Sequence, residues 1–117
     1  MRLFLYGSLL DPALLAARAG RRIALTPAVL AGWRRAARPG SRFPTLCRAR
    51  GGRVEGALAT VDGAALRRLV AYEGLEYRLH RVAVRWRRED SGPATGAAWA
   101  WIAPGGTRRR WPAKGTG

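Results

Sequence analysis

Two segments of the sequence follow one plan: an Asp, a short run rich in Ala and Leu, then a Gly. The first is Asp11-Pro12-Ala13-Leu14-Leu15-Ala16-Ala17-Arg18-Ala19-Gly20, and the second runs from Asp62 through Glu73 to Gly74. An Asp side chain accepts hydrogen bonds from the free N–H groups that open a helix, and Pro fits the first helical position. Gly takes the left-handed conformation that closes one. The pattern predicts helices over 12–19 and 62–73.

Around and between these helices the signals are of extended chain. Residues 2–6 (RLFLY) form a short apolar strand, and 28–35, 45–48 and 53–61 are extended pieces, with breaks at Pro39-Gly40-Ser41 and Gly51-Gly52. Two further strands cover 77–88 and 95–102, joined by a turn over 89–93. Alternation places His80, Val82, Val84 and Trp86 on one face of the first of these, and Trp99 and Trp101 on one face of the second. Strands clustered between helices, rather than alternating with them, indicate an α+β protein. The expected architecture is a small mixed β-barrel flanked by helices, not a doubly wound parallel sheet.

At 117 residues the chain makes one domain, placed over 1–106, followed by a basic tail over 107–117 that contains Arg108-Arg109-Arg110. No apolar run is long enough to span a membrane. The opening stretch has a positive charge ahead of apolar residues, but Asp11, Pro12 and the Gly7-Ser8 turn interrupt it, so it reads as a strand and not as a secretion signal. The single Cys47 has no internal disulfide partner, which points to a reducing, cytoplasmic setting. A formal charge of +15 attracts phosphates at long range. All but one of the 22 basic residues are arginines spread along the chain, the pattern that GC-rich coding produces. Nonspecific contacts at low salt are expected, without a specific nucleic-acid partner.

Glu73 is the most informative position. At about 100° per residue it falls about 20° from Leu66, between Leu69 and Val70, on the apolar stripe of the second helix. In the last turn it faces the negative end of the helix dipole, and burial would also disfavour its charge; both raise its pKa. That suits a general base near neutral pH. The alternative left open by the pattern is an early helix end, with Glu73 on the surface beside an arginine. Glu76, beyond Gly74, reads as a solvated turn residue.

The other reactive residues form no constellation. Ser8 lies in Y-G-S-L-L, not in G-x-S-x-G, and the only histidine, His80, reads as a core or rim residue of a strand. One His, one Cys and scattered carboxylates give no metal cluster, and Cys47 reads as a small core hydrophobe. There is no Walker loop or dinucleotide fingerprint, so no cofactor is expected. What remains is the turn over 7–9, whose successive backbone N–H groups can face a carboxylate or oxyanion.

Together these elements resemble the gamma-glutamylcyclotransferase-like family, in its short branch of plant AIG2-like and gamma-glutamylamine cyclotransferase proteins. The resemblance starts at Tyr6-Gly7-Ser8-Leu9 with Asp11-Pro12, and continues through Gly32-Trp33-Arg34, Phe43-Pro44 and Val54-Glu55-Gly56-Ala57-Leu58. It closes on Leu69, Tyr72-Glu73-Gly74, Tyr77-Arg78 and Val82-Ala83-Val84. It implies a mixed barrel in which the first loop and the end of the second helix meet at one cavity. Tyr6, Gly7, Ser8 and Leu9 would then bind the substrate's carboxylate end, Tyr77 would line the pocket or orient the acid, and Glu73 would be the general acid/base. The implied reaction is cofactor-independent: the alpha-amine of a gamma-glutamyl amine or amino acid attacks its own side-chain amide, forming 5-oxoproline and releasing the amine. The activity is that of a cyclising acyltransferase or lyase. A noncatalytic small-carboxylate-binding domain of the same fold is the alternative. Trp99 and Trp101 depart from the tyrosine and aliphatic residues more usual in relatives, on the leaving-group side of the pocket.

Overall fold

The computed structural model describes residues 1–104 apart from 39 and 42. The expected tail over 107–117, with its arginine run, lies outside the described residues. Strand β1 (Arg2–Leu5) leads through a 3-10 turn (Ser8–Leu10) into helix α1 (Pro12–Ala19). Strands β2 (Thr26–Ala36) and β3 (Thr45–Thr60) follow, then helix α2 (Gly63–Glu73) and strands β4 (Arg78–Arg88) and β5 (Gly92–Ile102).

Both helices begin and end where the sequence marks them. The Asp11 carboxylate accepts from Ala13 N at 3.0 Å, and Gly20 ends α1 with φ +83. The Asp62 carboxylate accepts from Ala65 N at 2.8 Å, and Gly74 follows α2 with φ +88. Arg21 Nη1 bridges to Asp62 Oδ2 at 3.0 Å, joining the exit of one helix to the entry of the other.

The five strands close into a barrel in the order β1-β3-β2-β4-β5. Neighbours are antiparallel except at the closure, where β1 meets β5 in parallel through Leu3↔Trp99. Phe4, Leu30, Val54, Leu58, Val82 and Val84 fill the interior, together with the small residues Ala28, Ala98 and Ala100. Leu3, Leu5, Val61 and Trp101 point outward instead and are covered by Leu15, Ala65 and Leu69 of the helices. Burial on both faces explains why Leu3 to Tyr6, after the exposed Arg2, read as a continuous apolar run.

Three details differ from the sequence reading. Gly51-Gly52 does not break the chain: β3 is continuous, and the β2–β3 register shifts between Ala31↔Arg53 and Trp33↔Arg48. Residues 49–52 bulge there opposite Gly32, and a Cβ on Gly52 would stand 2.5 Å from the Trp33 carbonyl oxygen, so the glycine bends the strand without ending it. On β4, Val82 and Val84 point inward but His80 is exposed, because β2 accompanies β4 only at Ala28↔Trp86 and Val29↔Arg85. Cys47 is half-buried on β3 opposite Arg34 and takes no place in the core clusters.

Thr45 is fully buried beside the end of β5. Its hydroxyl donates to the Ala103 carbonyl at 2.9 Å and accepts from Ala103 N at 2.8 Å. Thr45→Val keeps the shape and strands both backbone groups. It is expected to lower the unfolding free energy in a urea titration by about 2 kcal/mol or more.

Candidate active site

Glu73 ends α2 one turn beyond Leu69, which is fully buried, and two turns beyond Ala65. The buried ridge therefore runs through Ala65 and Leu69, whereas Val70, placed on the stripe by the helical projection, is 44% exposed. Glu73 inherits the buried side. Burial pushes its pKa up to about 7, with no other cause contributing. No hydrogen bond or ion pair joins its carboxyl to any described residue, and no buried side-chain oxygen or nitrogen in the described chain is sealed without a partner. The carboxyl is desolvated yet open to an incoming group. The surface pairing left open in the sequence belongs to Glu76, whose Oε2 lies 3.1 Å from Arg38 Nη1.

The open side of Glu73 is a cavity of about 140 Å³. All six residues expected at the site from the sequence line it: Glu73, Tyr6, Gly7, Ser8, Leu9 and Tyr77. In the turn, Leu10 N donates to Gly7 O at 3.0 Å and Asp11 N donates to Ser8 O at 3.2 Å. The turn's own hydrogen bonds thus use the amides of Leu10 and Asp11 and leave those of Ser8 and Leu9 for another acceptor.

The tyrosines set the walls. Tyr6 is buried, and its hydroxyl donates to the Trp101 carbonyl oxygen; burial, the largest cause, raises its pKa, so it stays protonated. The Tyr77 hydroxyl donates to the Pro44 carbonyl at 3.0 Å, and burial raises this phenol too. Both hydroxyls go to backbone, so neither holds Glu73 directly. Tyr72 is the residue that sequence reasoning did not single out: it lines the cavity, and its hydroxyl shares a 2.9 Å hydrogen bond with Ser8 Oγ, pinning the turn to α2. The sequence signal was its place beside Glu73 in Tyr72-Glu73-Gly74; the chain has three tyrosines, and all three face this cavity. Phe43, 42% exposed, and Pro44 form its apolar rim.

Among the described residues no group of three or more His, Cys, Asp or Glu side chains could hold a metal ion, and no basic side chain lines the cavity. No helix of the described chain is long and apolar enough to cross a membrane.

A closed α+β barrel whose first turn and second helix line one cavity beside a desolvated carboxyl is a protein with a pocket of small-molecule size. The model of the family described as gamma-glutamyl cyclotransferase, AIG2-like, matches residues 3–115, and the chain belongs to that family. Two Arabidopsis thaliana proteins solved in solution are 28% and 30% identical to it, with TM-scores of 0.72 and 0.69. The matches cover 88% and 87% of this chain, and 68% and 61% of theirs. A yeast gamma-glutamyl cyclotransferase specific to glutathione has the same fold at 16% identity, with a TM-score of 0.65 over 88% of this chain and 68% of its own. This chain therefore spans between 61% and 68% of the length of these relatives. No curated protein matches the sequence.

Proposed function

We propose that this protein is a gamma-glutamyl cyclotransferase that forms 5-oxoproline from a gamma-glutamyl amine or amino acid. The observation that carries the reading is the sharing of one cavity by the Glu73 carboxyl and the turn from Gly7 to Leu9. The substrate's alpha-carboxylate would sit on the free amides of the turn, leaving its alpha-nitrogen and its side-chain amide toward Glu73. Ionised Glu73 takes a proton from the alpha-ammonium, and the freed amine attacks the gamma-carbonyl carbon. The new C–N bond closes a five-membered ring as the original amide C–N bond breaks. Glu73 passes the first proton to the departing nitrogen, then takes the second from the ring nitrogen and hands it on, so the ring keeps one N–H and the amine leaves as its ammonium. Neither water nor an oxidant or reductant enters the balance.

Holding the chain folded for intramolecular attack is worth about 7–11 kcal/mol of the barrier. The volume suits the product: an apolar cavity of about 150 Å³ admits a benzene ring, close to the size of a 5-oxoproline ring. The departing group would leave past Phe43 and Pro44.

Incubation with a panel of gamma-glutamyl amines and amino acids, with 5-oxoproline measured by mass spectrometry, tests the proposal. Release from at least one member is expected. Binding of 5-oxoproline without turnover on any member would instead mark a noncatalytic carboxylate-binding domain. With turnover in hand, kcat/KM is expected to rise with pH through a midpoint near 7, because burial raises the Glu73 pKa to about 7 and the base must be ionised to begin. A midpoint near 4 or 5 would place the titrating group elsewhere.

A further inference from the structure

The turn that would hold the substrate starts where β1 parts from β3, just past the last pair of their ladder, Leu5↔Ala57. At that point Arg35 reaches across from β2. Its Nε donates to the Tyr6 carbonyl at 2.9 Å and its Nη2 to the Glu55 carbonyl at 2.6 Å. One guanidinium thus ties the residue that leads out of β1 to the strand that β1 has just left. Arg35 lies opposite Leu46 in the β2–β3 register, and Leu46 belongs to the interior cluster, so the side chain springs from the inner face of the barrel. It is not part of the cavity wall itself.

The Tyr6–Gly7 peptide is trans, as are all described peptide bonds. The C=O and N–H of a trans peptide point in opposite directions, so a carbonyl held on Arg35 aims the Gly7 N–H away from the guanidinium. Packing does not hold this glycine: a Cβ there would meet nothing within 4 Å. Its orientation rests on the Tyr6 carbonyl on one side and on its own carbonyl, which accepts from Leu10 N, on the other.

We propose that Arg35 is the positioning residue of the carboxylate-binding turn: it fixes the direction of the amides from Gly7 to Leu9 through the Tyr6 carbonyl. A planar guanidinium suits this task, because Nε and Nη2 reach two carbonyls in one plane, which an ammonium does not. The inference rests on the cyclotransferase reading for its ligand, and it assigns Arg35 to substrate binding, not to the proton transfers of Glu73.

The test compares Arg35→Met and Arg35→Lys with the unaltered protein in two assays, steady-state kinetics on the best substrate of the panel and calorimetric binding of 5-oxoproline. Losing a charge-assisted hydrogen bond predicts that KM for the substrate and Kd for 5-oxoproline both rise about tenfold to a hundredfold in Arg35→Met. A smaller rise is expected in Arg35→Lys. In both variants kcat should stay within about threefold, with its pH midpoint unmoved. Amide resonances of Gly7, Ser8 and Leu9 should shift in the unliganded Arg35→Lys protein, which covers the case in which Arg35→Met fails to fold. Unchanged KM and Kd in a folded variant would overturn the inference, as would a loss of kcat alone or a loss that follows only the unfolded fraction. The calorimetric arm separates the two readings. An unaltered protein that binds 5-oxoproline without turning over any substrate sinks the cyclotransferase reading, while Kd in the variants still decides the role of Arg35.

Discussion

Glu73→Gln is expected to leave a folded protein that has lost turnover by about a hundredfold to ten-thousandfold, the usual worth of a positioned acid/base group. Gln keeps the size of the side chain and removes its proton chemistry. A second effect runs the other way. The folded protein holds the Glu73 proton up to about pH 7, whereas the unfolded chain releases it near the ordinary carboxylate value of 4.5. Between these values the native state binds more protons, so stability falls as pH rises through this window. The cost of keeping the ionised group buried amounts to about 3 kcal/mol at pH 8. Glu73→Gln is thus expected to be more stable than the unaltered protein at pH 8, by up to that amount, and nearly equal to it at pH 4. Urea titrations at the two pH values, beside 5-oxoproline assays, check both effects. An inactive variant with the same stability difference at both pH values would mean that Glu73 does not carry the burial cost.

Gly56→Ala is expected to be the most damaging single-methyl change in the barrel. A Cβ at Gly56 would stand 2.2 Å from the Leu5 carbonyl oxygen and 2.8 Å from the Phe4 ring, which is fully buried and cannot swing aside. Overpacking of this kind costs about 1–3 kcal/mol, and more where backbone must move. Because the obstacle is the carbonyl that leads into Tyr6, the displacement passes directly into the turn. Activity should therefore fall further than the unfolded fraction explains. Gly63→Ala, where the nearest atom is Arg67 Nη1 at 3.6 Å, is the matched control and should change little. Thermal melts and turnover of the two variants decide the matter; equal melting temperatures would contradict the close approach at Gly56.

How much of this was visible in the sequence follows from the range of each interaction. The first helix was legible to the residue and the second to within one, with Asp62 its cap and not its first residue, because a cap is made by side chains one to three positions away. The strands were legible as segments, and Trp99 and Trp101 were placed on one face correctly. Their pairing was not, since the Leu3↔Trp99 contact that closes the ring joins opposite ends of the chain and leaves no local mark. Val70 shows a subtler limit: an even helical projection cannot tell which edge of an apolar stripe the barrel will cover, and α1 and β1 cover the Ala65–Leu69 edge. Glu73 could be suspected because a carboxylate interrupts an apolar pattern. Arg35 could not, because one arginine among many carries no signal until its two carbonyl partners are seen.

The parallel contact between β1 and β5 has a consequence for how the molecule comes into being. The hairpins β2–β3 and β4–β5 join neighbours along the chain and lose little loop entropy on closing, whereas β1 must find partners half a chain and almost a whole chain away. The segment that zips the ring is the one that carries Tyr6 and Gly7 to the cavity. The chain is therefore without a closed pocket until β1 meets β5, and a product truncated before β5 would lack the Trp101 wall of the cavity however well its hairpins had formed.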